Sequence, residues 1–244
     1  MRFLPPFAHS PHDFEALLQA WRTLAERRGW ALEPFAEVEG YPLVRLRVPA
    51  PSPETEPVYL SAGVHGDEPA GVWALLEWAE SLKEPLAAEV VPCWNPWGFA
   101  RNLREDARGR DLNRCFDDFD SSPVREWAQW ALGIPYRLVL CLHEDYDGHG
   151  VYLYEHGLSS SEPVGERMQE ASSIPADPRA EIEGLPAEGG LLRPEGLPED
   201  LEGLPEAVVV FDAGAQRVVT IETPSELGLR ERIEAQVRMI RSVV

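Results

Sequence analysis

Lysine is almost missing from this sequence. Lys83 is the only one, so the rest of the 22 basic residues are arginines. Arginine's rigid fork suits bidentate recognition of carboxylate or phosphate. Positive charge is scarce as a whole: 22 basic residues face 42 acidic ones in 244 residues, a net charge of −20. Such a chain repels nucleic acid and anionic lipid, because both require a basic face. Cysteine is equally sparse. Cys93, Cys115 and Cys141 are an odd number, far apart and never in a Cys-x-x-Cys pair, which argues against a disulfide framework and a cysteine-based zinc site. Apolar runs are short, as at Ala207–Phe211, and fall well below a membrane span. The opening Met-Arg-Phe-Leu-Pro-Pro-Phe lacks the apolar core of a leader. The expectation is a soluble cytoplasmic protein made without a signal peptide, with no nucleic-acid or membrane partner.

What is present fits one globular unit. Apolar residues are 44% and charged residues 26%, and a chain of this length buries roughly 70–75% of its unfolded surface without covalent staples. A first helix is predicted with Ser10 as N-cap, Pro11 at its first position and Phe14, Leu17, Leu18, Trp21 and Leu24 at helical spacing, stopping at Gly29. Strands are expected at Ala31–Val38 and Tyr41–Val48. From Val58 onward, strands and helices alternate: strands at Val58–Ala62, Glu89–Trp94, Arg137–Leu142, Val151–Tyr154 and Val218–Ile221, helices at Ala70–Leu82, Val124–Leu132 and Ser225–Val244. That alternation predicts an α/β fold, a single domain over residues 1–244 whose mixed, mostly parallel sheet is flanked by helices. Residues 157–206 shift to Pro, Gly and Glu, with Glu-Gly-Leu-Pro at 183, 195 and 202 at unequal spacing. This predicts an irregular surface excursion built on turn chemistry.

Four of the six histidines could carry chemistry; His9 and His12 flank a surface helix and are read as inert. His65 and Glu68 follow a predicted strand in Gly-Val-His-Gly-Asp-Glu, where an i, i+3 spacing lets imidazole and carboxylate converge at the sheet's carboxyl edge. Alone, such a His-x-x-Glu reads more economically as a polar turn. His143 ends another buried strand and faces the same edge, although a satisfied core-edge histidine would look alike. Two histidines, one carboxylate and an open position are the ligand set of a catalytic zinc. His149 and His156 lack a positioning strand and rank below.

The loop Asn95–Phe116 holds five arginines, Arg101, Arg104, Arg108, Arg110 and Arg114, in a strongly acidic chain. The order of features resembles the zinc carboxypeptidase (carboxypeptidase A-like) superfamily, particularly its small bacterial members such as the murein-peptide amidases. These features are His-x-x-Glu after a strand, Asn-Pro-x-Gly, Arg-x-x-Ala-Arg-Gly-x-Asp-Leu-Asn-Arg-x-Phe, a strand-terminal histidine and a late glutamate, and they run here from Gly63 to Glu222.

The resemblance implies one Zn²⁺ held by His65, Glu68 and His143, with Asp111 orienting the first histidine. It implies that Asn113 and Arg114 grip the substrate's free carboxylate, that Arg104 supports the oxyanion, and that Glu222 is general base and acid. Tyr-Leu-Tyr at 152–154 resembles a segment that accompanies the third ligand. The implied activity is a metallocarboxypeptidase that hydrolyses the amide bond before a free C-terminus of a peptide. Departures from the pattern are Trp97 in Asn-Pro-x-Gly, Asp67 beside the ligand glutamate and Cys115 after Asn-Arg; for the substrate-capping tyrosine, Tyr146, Tyr152 and Tyr154 are all candidates. Two alternatives stand. Aspartoacylases and succinylglutamate desuccinylases share His-Gly-x-Glu and Asn-Arg, and act on N-acyl amino acids. A non-catalytic module holding carboxylate ligands is the other, but its signature, a lost ligand or base, is missing.

Overall fold

The computed structural model describes residues 10–196 and 201–244. His9, the opening heptapeptide and residues 197–200 of the Pro/Gly/Glu-rich stretch lie outside the described residues. Helix α1 (Phe14–Arg28) buries Phe14, Leu17, Leu18, Trp21 and Leu24 and ends at Gly29. Its cap differs from the expectation. Asp13, not Ser10, is the N-cap and accepts from the Ala16 amide at 2.9 Å, while the Ser10 hydroxyl accepts from the His12 amide. A carboxylate at that point satisfies an orphan amide and also faces the positive end of the helix dipole.

The elements then follow as β1 (Ala31–Val38), β2 (Tyr41–Val48), β3 (Val58–Ala62), α2 (Pro69–Ser81), β4 (Ala88–Val91), the single turn α3 (Pro96–Phe99), α4 (Val124–Ala131), β5 (Leu138–Asp145) and β6 (Tyr152–Gly157). The remainder comprises α5 (Gly165–Ala171), β7 (Glu181–Ile182), β8 (Leu185–Pro186), β9 (Leu191–Leu192), α6 (Glu206–Asp212), β10 (Arg217–Pro224) and α7 (Leu229–Val243). One mixed sheet of eight strands has the order β1-β2-β4-β3-β5-β10-β6-β9. Its centre, β4-β3-β5-β10, is parallel; β1 and β2 run antiparallel to their neighbours, β6 runs antiparallel to β10, and β9 runs parallel to β6.

Alternation along β5 splits the core. Leu138, Leu140 and Leu142 share a cluster with Trp21, Trp78 and Ile240 of α1, α2 and α7; Val139 and Cys141 join Tyr59, Trp94 and Trp127 on the opposite face. Burial on both faces is why the central strands read as continuous apolar runs. From β3 the chain crosses to β4 on one side, while β5 flanks the other. Such a switch opens a crevice at the strands' carboxyl ends. His65 follows β3 there, and His143 lies near the end of β5.

The excursion 157–206 is more ordered than its composition suggests. It contributes α5, the β7–β8 hairpin and β9, an edge strand of the main sheet. Buried Glu155 holds it in place: its carboxylate accepts from the Val164 amide at 2.7 Å and the Gly165 amide at 3.2 Å, and pairs with Arg193 at 2.6 Å and Arg217 at 2.9 Å. Two-residue strands leave no period-2 signal in a sequence, so the periodicity could not announce this order. Among the described residues, no helix is long and apolar enough to cross a membrane.

Candidate metal centre and substrate cleft

The two motif loops form one backbone unit. A Cβ on Gly66 would sit 2.2 Å from the backbone of Gly98 and Phe99, so the His-x-x-Glu loop approaches the Asn-Pro-Trp-Gly turn closely enough to require glycine. Asn95 ties that turn: its side chain accepts from the Gly98 amide at 2.9 Å and donates to the Glu105 carbonyl at 2.9 Å. Its own amide donates to the Gly63 carbonyl at 2.8 Å. The arginine loop is thereby held beside the end of β3.

His65, Glu68 and His143 come together with their ligating atoms within 4.8 Å of one another. All three are at most 4% exposed. The Glu68 carboxylate lies 2.5 Å from His65 Nδ1 through one oxygen and 3.0 Å from His143 Nδ1 through the other. His65 Nε2 lies 3.0 Å from Asp111, which fixes the ring and leaves Nδ1 facing inward. The electrostatics call for a cation. Burial opposes a charged imidazole, yet Glu68 and the hydrogen bonds of Asp111 and Glu68 raise His65 to about 9. Burial would likewise raise Glu68, but His65 and His143 hold it at about 2. Two imidazoles and a carboxylate, dry and convergent, fit a borderline divalent metal such as zinc.

These three residues line a cavity of about 230 Å³ together with Arg104, Asn113, Arg114 and Glu222. Arg104 reaches Asp111 at 3.2 Å and Glu68 at 3.5 Å. Asp111 caps the short turn Leu112–Arg114 by accepting from the Asn113 amide at 2.9 Å. Glu222 on β10 is in register with His143 on β5 and with Tyr152 on β6. Burial first, and then Glu68 and Asp145, push its carboxyl well above the usual range. The other arginines of the loop point elsewhere: Arg101 stacks on Trp97, and Arg110 pairs with Asp106 and Asp118. Arg108 lines a separate pocket beside Pro123.

Several lining groups were not identified from the sequence. Glu183, Leu185, Pro194 and Leu201 show that the excursion forms a wall of the cleft. His156, ranked low, lines the same cavity from β6, its ring against Phe211. Of the candidate tyrosines, Tyr152 and Tyr154 line this cavity, their hydroxyls donating to Asp145 at 3.0 Å and Glu183 at 2.6 Å. Tyr146 instead lines a neighbouring cavity of about 420 Å³, along with His12, Asp67 and Arg232. Glu68, Arg104 and Glu144 border both cavities. The Glu144 carboxylate pairs with Arg232 and caps α2 by accepting from the Ala70 amide at 2.6 Å. A lone glutamate after the strand-terminal histidine gave no hint of this.

Residues 54–166 match the family described as the succinylglutamate desuccinylase/aspartoacylase catalytic domain. Murein peptide amidase A of Escherichia coli is 37% identical over 91 residues, which cover 37% of this chain and 34% of that protein. Carboxypeptidase SOL1 of Arabidopsis thaliana is 38% identical over 98 residues, covering 33% of this chain and 20% of that protein. The chain therefore aligns with about a third or less of these curated relatives. Among solved structures, a metallopeptidase candidate from Shewanella amazonensis superposes with a TM-score of 0.84 at 22% identity, covering 95% of this chain and 92% of that one. The murein-tripeptide amidase of Escherichia coli O157 superposes at 0.61 and 21% identity, covering 86% and 92%. A metallo-carboxypeptidase from Burkholderia cenocepacia reaches 0.69 at 18% identity, covering 94% and 67%. At these identities the likeness is one of fold.

Proposed function

We propose that this chain, which over residues 54–166 is similar to the succinylglutamate desuccinylase/aspartoacylase catalytic domain, is a member of the superfamily that joins those enzymes with zinc carboxypeptidases, and that it acts as a zinc-dependent carboxypeptidase. Its reaction is hydrolysis of the amide bond next to a free C-terminal carboxylate. One observation carries this reading: a cavity lined jointly by His65, Glu68, His143, Glu222, Arg104, Asn113 and Arg114.

His65, Glu68 and His143 would hold the zinc, which would supply a Lewis acid for the scissile carbonyl and lower the pKa of a water toward neutrality. Asp111 fixes the His65 ring. Glu222 takes the proton of the attacking water and returns it to the leaving amine. Arg104 stabilises the oxyanion, a contribution commonly worth about 3–4 kcal/mol. Asn113 and Arg114 hold the terminal carboxylate, for which a guanidinium fork is the natural partner.

The match over residues 54–166 favours a second reading, an N-acyl-amino-acid deacylase using the same centre. The neighbouring cavity supports the peptidase. It is bordered by the same Glu68 and Arg104 as the first, and a longer substrate held by Asn113 and Arg114 would extend toward it past the reacting bond. A peptide-library digest read by mass spectrometry, with and without chelator, tests the choice. The expected result is stepwise loss of single C-terminal residues that stops with chelator. Turnover of N-acyl amino acids with peptides untouched would transfer the site to the second reading.

A further inference from the structure

One fully buried carboxylate has no part in this chemistry. Glu206 opens α6 and is shielded from solvent. Its oxygens accept from the Tyr59 hydroxyl at 2.5 Å, the Ser61 hydroxyl at 2.6 Å and the Trp94 indole at 2.8 Å. Tyr59 and Ser61 belong to β3, and Trp94 follows β4, so this side chain fixes the end of the excursion to the centre of the sheet. Burying a carboxylate is costly unless its lone pairs are satisfied, and here neutral donors do this without an ion pair among the described residues.

The backbone just before it is laid against the Asp-Leu-Asn-Arg turn. The Glu206 amide donates to Asn113 Oδ1 at 3.3 Å, and the Leu204 amide donates to the Asp117 carboxylate at 3.3 Å. The Phe116 amide donates to the Leu204 carbonyl at 3.1 Å. Gly203, at φ +73°, lies so close that a Cβ would sit 2.0 Å from the Arg114 carbonyl oxygen. The two consequences differ. The Glu206 amide takes one acceptor site of Oδ1, and the NH₂ is the part of Asn113 that can donate to a carboxylate. The Arg114 backbone, meanwhile, is set by contact with a residue that has no side chain.

We propose that Glu206 and Gly203 are positioning residues for the substrate carboxylate: Glu206 orients the Asn113 amide from β3, and Gly203 seats the Arg114 backbone. The inference rests on the reading of Asn113 and Arg114 as the carboxylate's partners. It makes the excursion's last residues a template for recognition as well as a wall.

Gln at 206 can keep every partner, with its oxygen accepting from Tyr59 and Trp94 and its NH₂ donating to the Ser61 hydroxyl. Ala cannot. Steady-state kinetics on matched peptides with a free or an amidated C-terminus, alongside thermal melting, separates the possibilities. Glu206→Ala and Gly203→Ala should each raise KM for the free peptide about tenfold or more, the scale of a hydrogen bond to a charged group. Their kcat should stay within about threefold, rates on the amidated peptide should not change, and Glu206→Gln should stay near wild type. If Glu206→Ala fails to fold, Gly203→Ala carries the test. Equal losses on both peptides, or an unchanged KM, would overturn the inference while leaving the carboxypeptidase reading intact. A Glu206→Gln as impaired as Glu206→Ala would place the effect in the charge and overturn it too. Wild type cutting both peptides alike would remove the reading itself, and the inference with it.

Discussion

At the floor of the cleft, His65, His143 and Glu222 stand at or just beyond the carboxyl ends of β3, β5 and β10, fixed by a backbone ladder that runs Ala62–Leu142 and His143–Glu222. The facing wall, from Gly157 to Glu206, has almost no ladder of its own. Its order comes from Glu155 between Arg193 and Arg217, from Asp177 with Arg179, and from Glu206 among Tyr59, Ser61 and Trp94. The proposed chemistry would sit on main-chain hydrogen bonds, whereas the wall rests largely on buried carboxylates. The difference teaches that the wall can change without breaking the floor's ladder, because it meets β3 and β10 through side chains, Glu206 on Tyr59 and Ser61 and Glu155 on Arg217, and not through their main-chain pairing.

The sharpest way to test that separation is to remove chemistry alone. Glu222→Gln keeps the shape of the floor and lacks the base, so kcat should fall about 10²–10⁴-fold. Zinc content per chain, measured by elemental analysis, should stay at the wild-type value. Loss of zinc together with activity would make Glu222 part of the metal site. A disturbance of the wall should read in stability. Glu155→Ala leaves Arg217 buried and unpaired, which costs about 3–5 kcal/mol. At about 2–4 °C per kcal/mol for a chain of this size, Tm should fall by roughly 6–20 °C. The chains that remain folded should bind zinc as wild type does; a proportional loss of metal would join wall to floor and break the comparison.

A smaller effect concerns Asp177, which is 1% exposed. Burial would raise its carboxyl, but the Arg179 side chain and the Arg179 and His149 amides outweigh it and hold the group at about 2. A depressed acid stabilises above its unfolded value near 4 and stops doing so as pH falls through about 2; the contribution is about 2 kcal/mol at neutral pH. The melting gap between wild type and Asp177→Asn should therefore be widest at neutral pH and narrow toward about pH 3. A gap that does not change with pH would contradict the assignment. The smallest effect belongs to Arg101, whose guanidinium lies 4.5 Å over Trp97. Arg101→Ala should cost about 0.5–1 kcal/mol of stability and leave the preference for free over amidated peptides unchanged. A lost preference would bring a third arginine into the cleft.

The same division governs what the sequence reveals. Leu138–Leu142 is an apolar run with His143 at its end, and Val218–Ile221 is another with Glu222 next; strands buried on both faces announce themselves and the residue that leaves them. The Asp-Leu-Asn-Arg turn is legible by residue type, since Asp111 both caps it and meets His65. Within the arginine loop, residue type alone does not separate Arg104 and Arg114 from Arg101, Arg108 and Arg110; the motif resemblance picked out the two, and packing sets them in the lining of the cleft. Glu206 was invisible: its side-chain partners lie more than a hundred residues away, and one glutamate before Ala207–Phe211 reads as an ordinary helix start. The strands of the excursion are two residues long and carry no periodicity. The first helix starts later than the spacing suggested, with Asp13 and not Ser10 as its cap.

Zinc titrated into chelator-stripped protein, with peptide hydrolysis read at each addition, is the most direct measurement of the metal-dependent chemistry. Activity should rise in proportion to bound zinc and level off at one ion per chain, and Glu68→Ala should bind none at this site. Full hydrolysis by the metal-free protein, or saturation with zinc that restores no hydrolysis of any peptide or acyl amino acid, would contradict it.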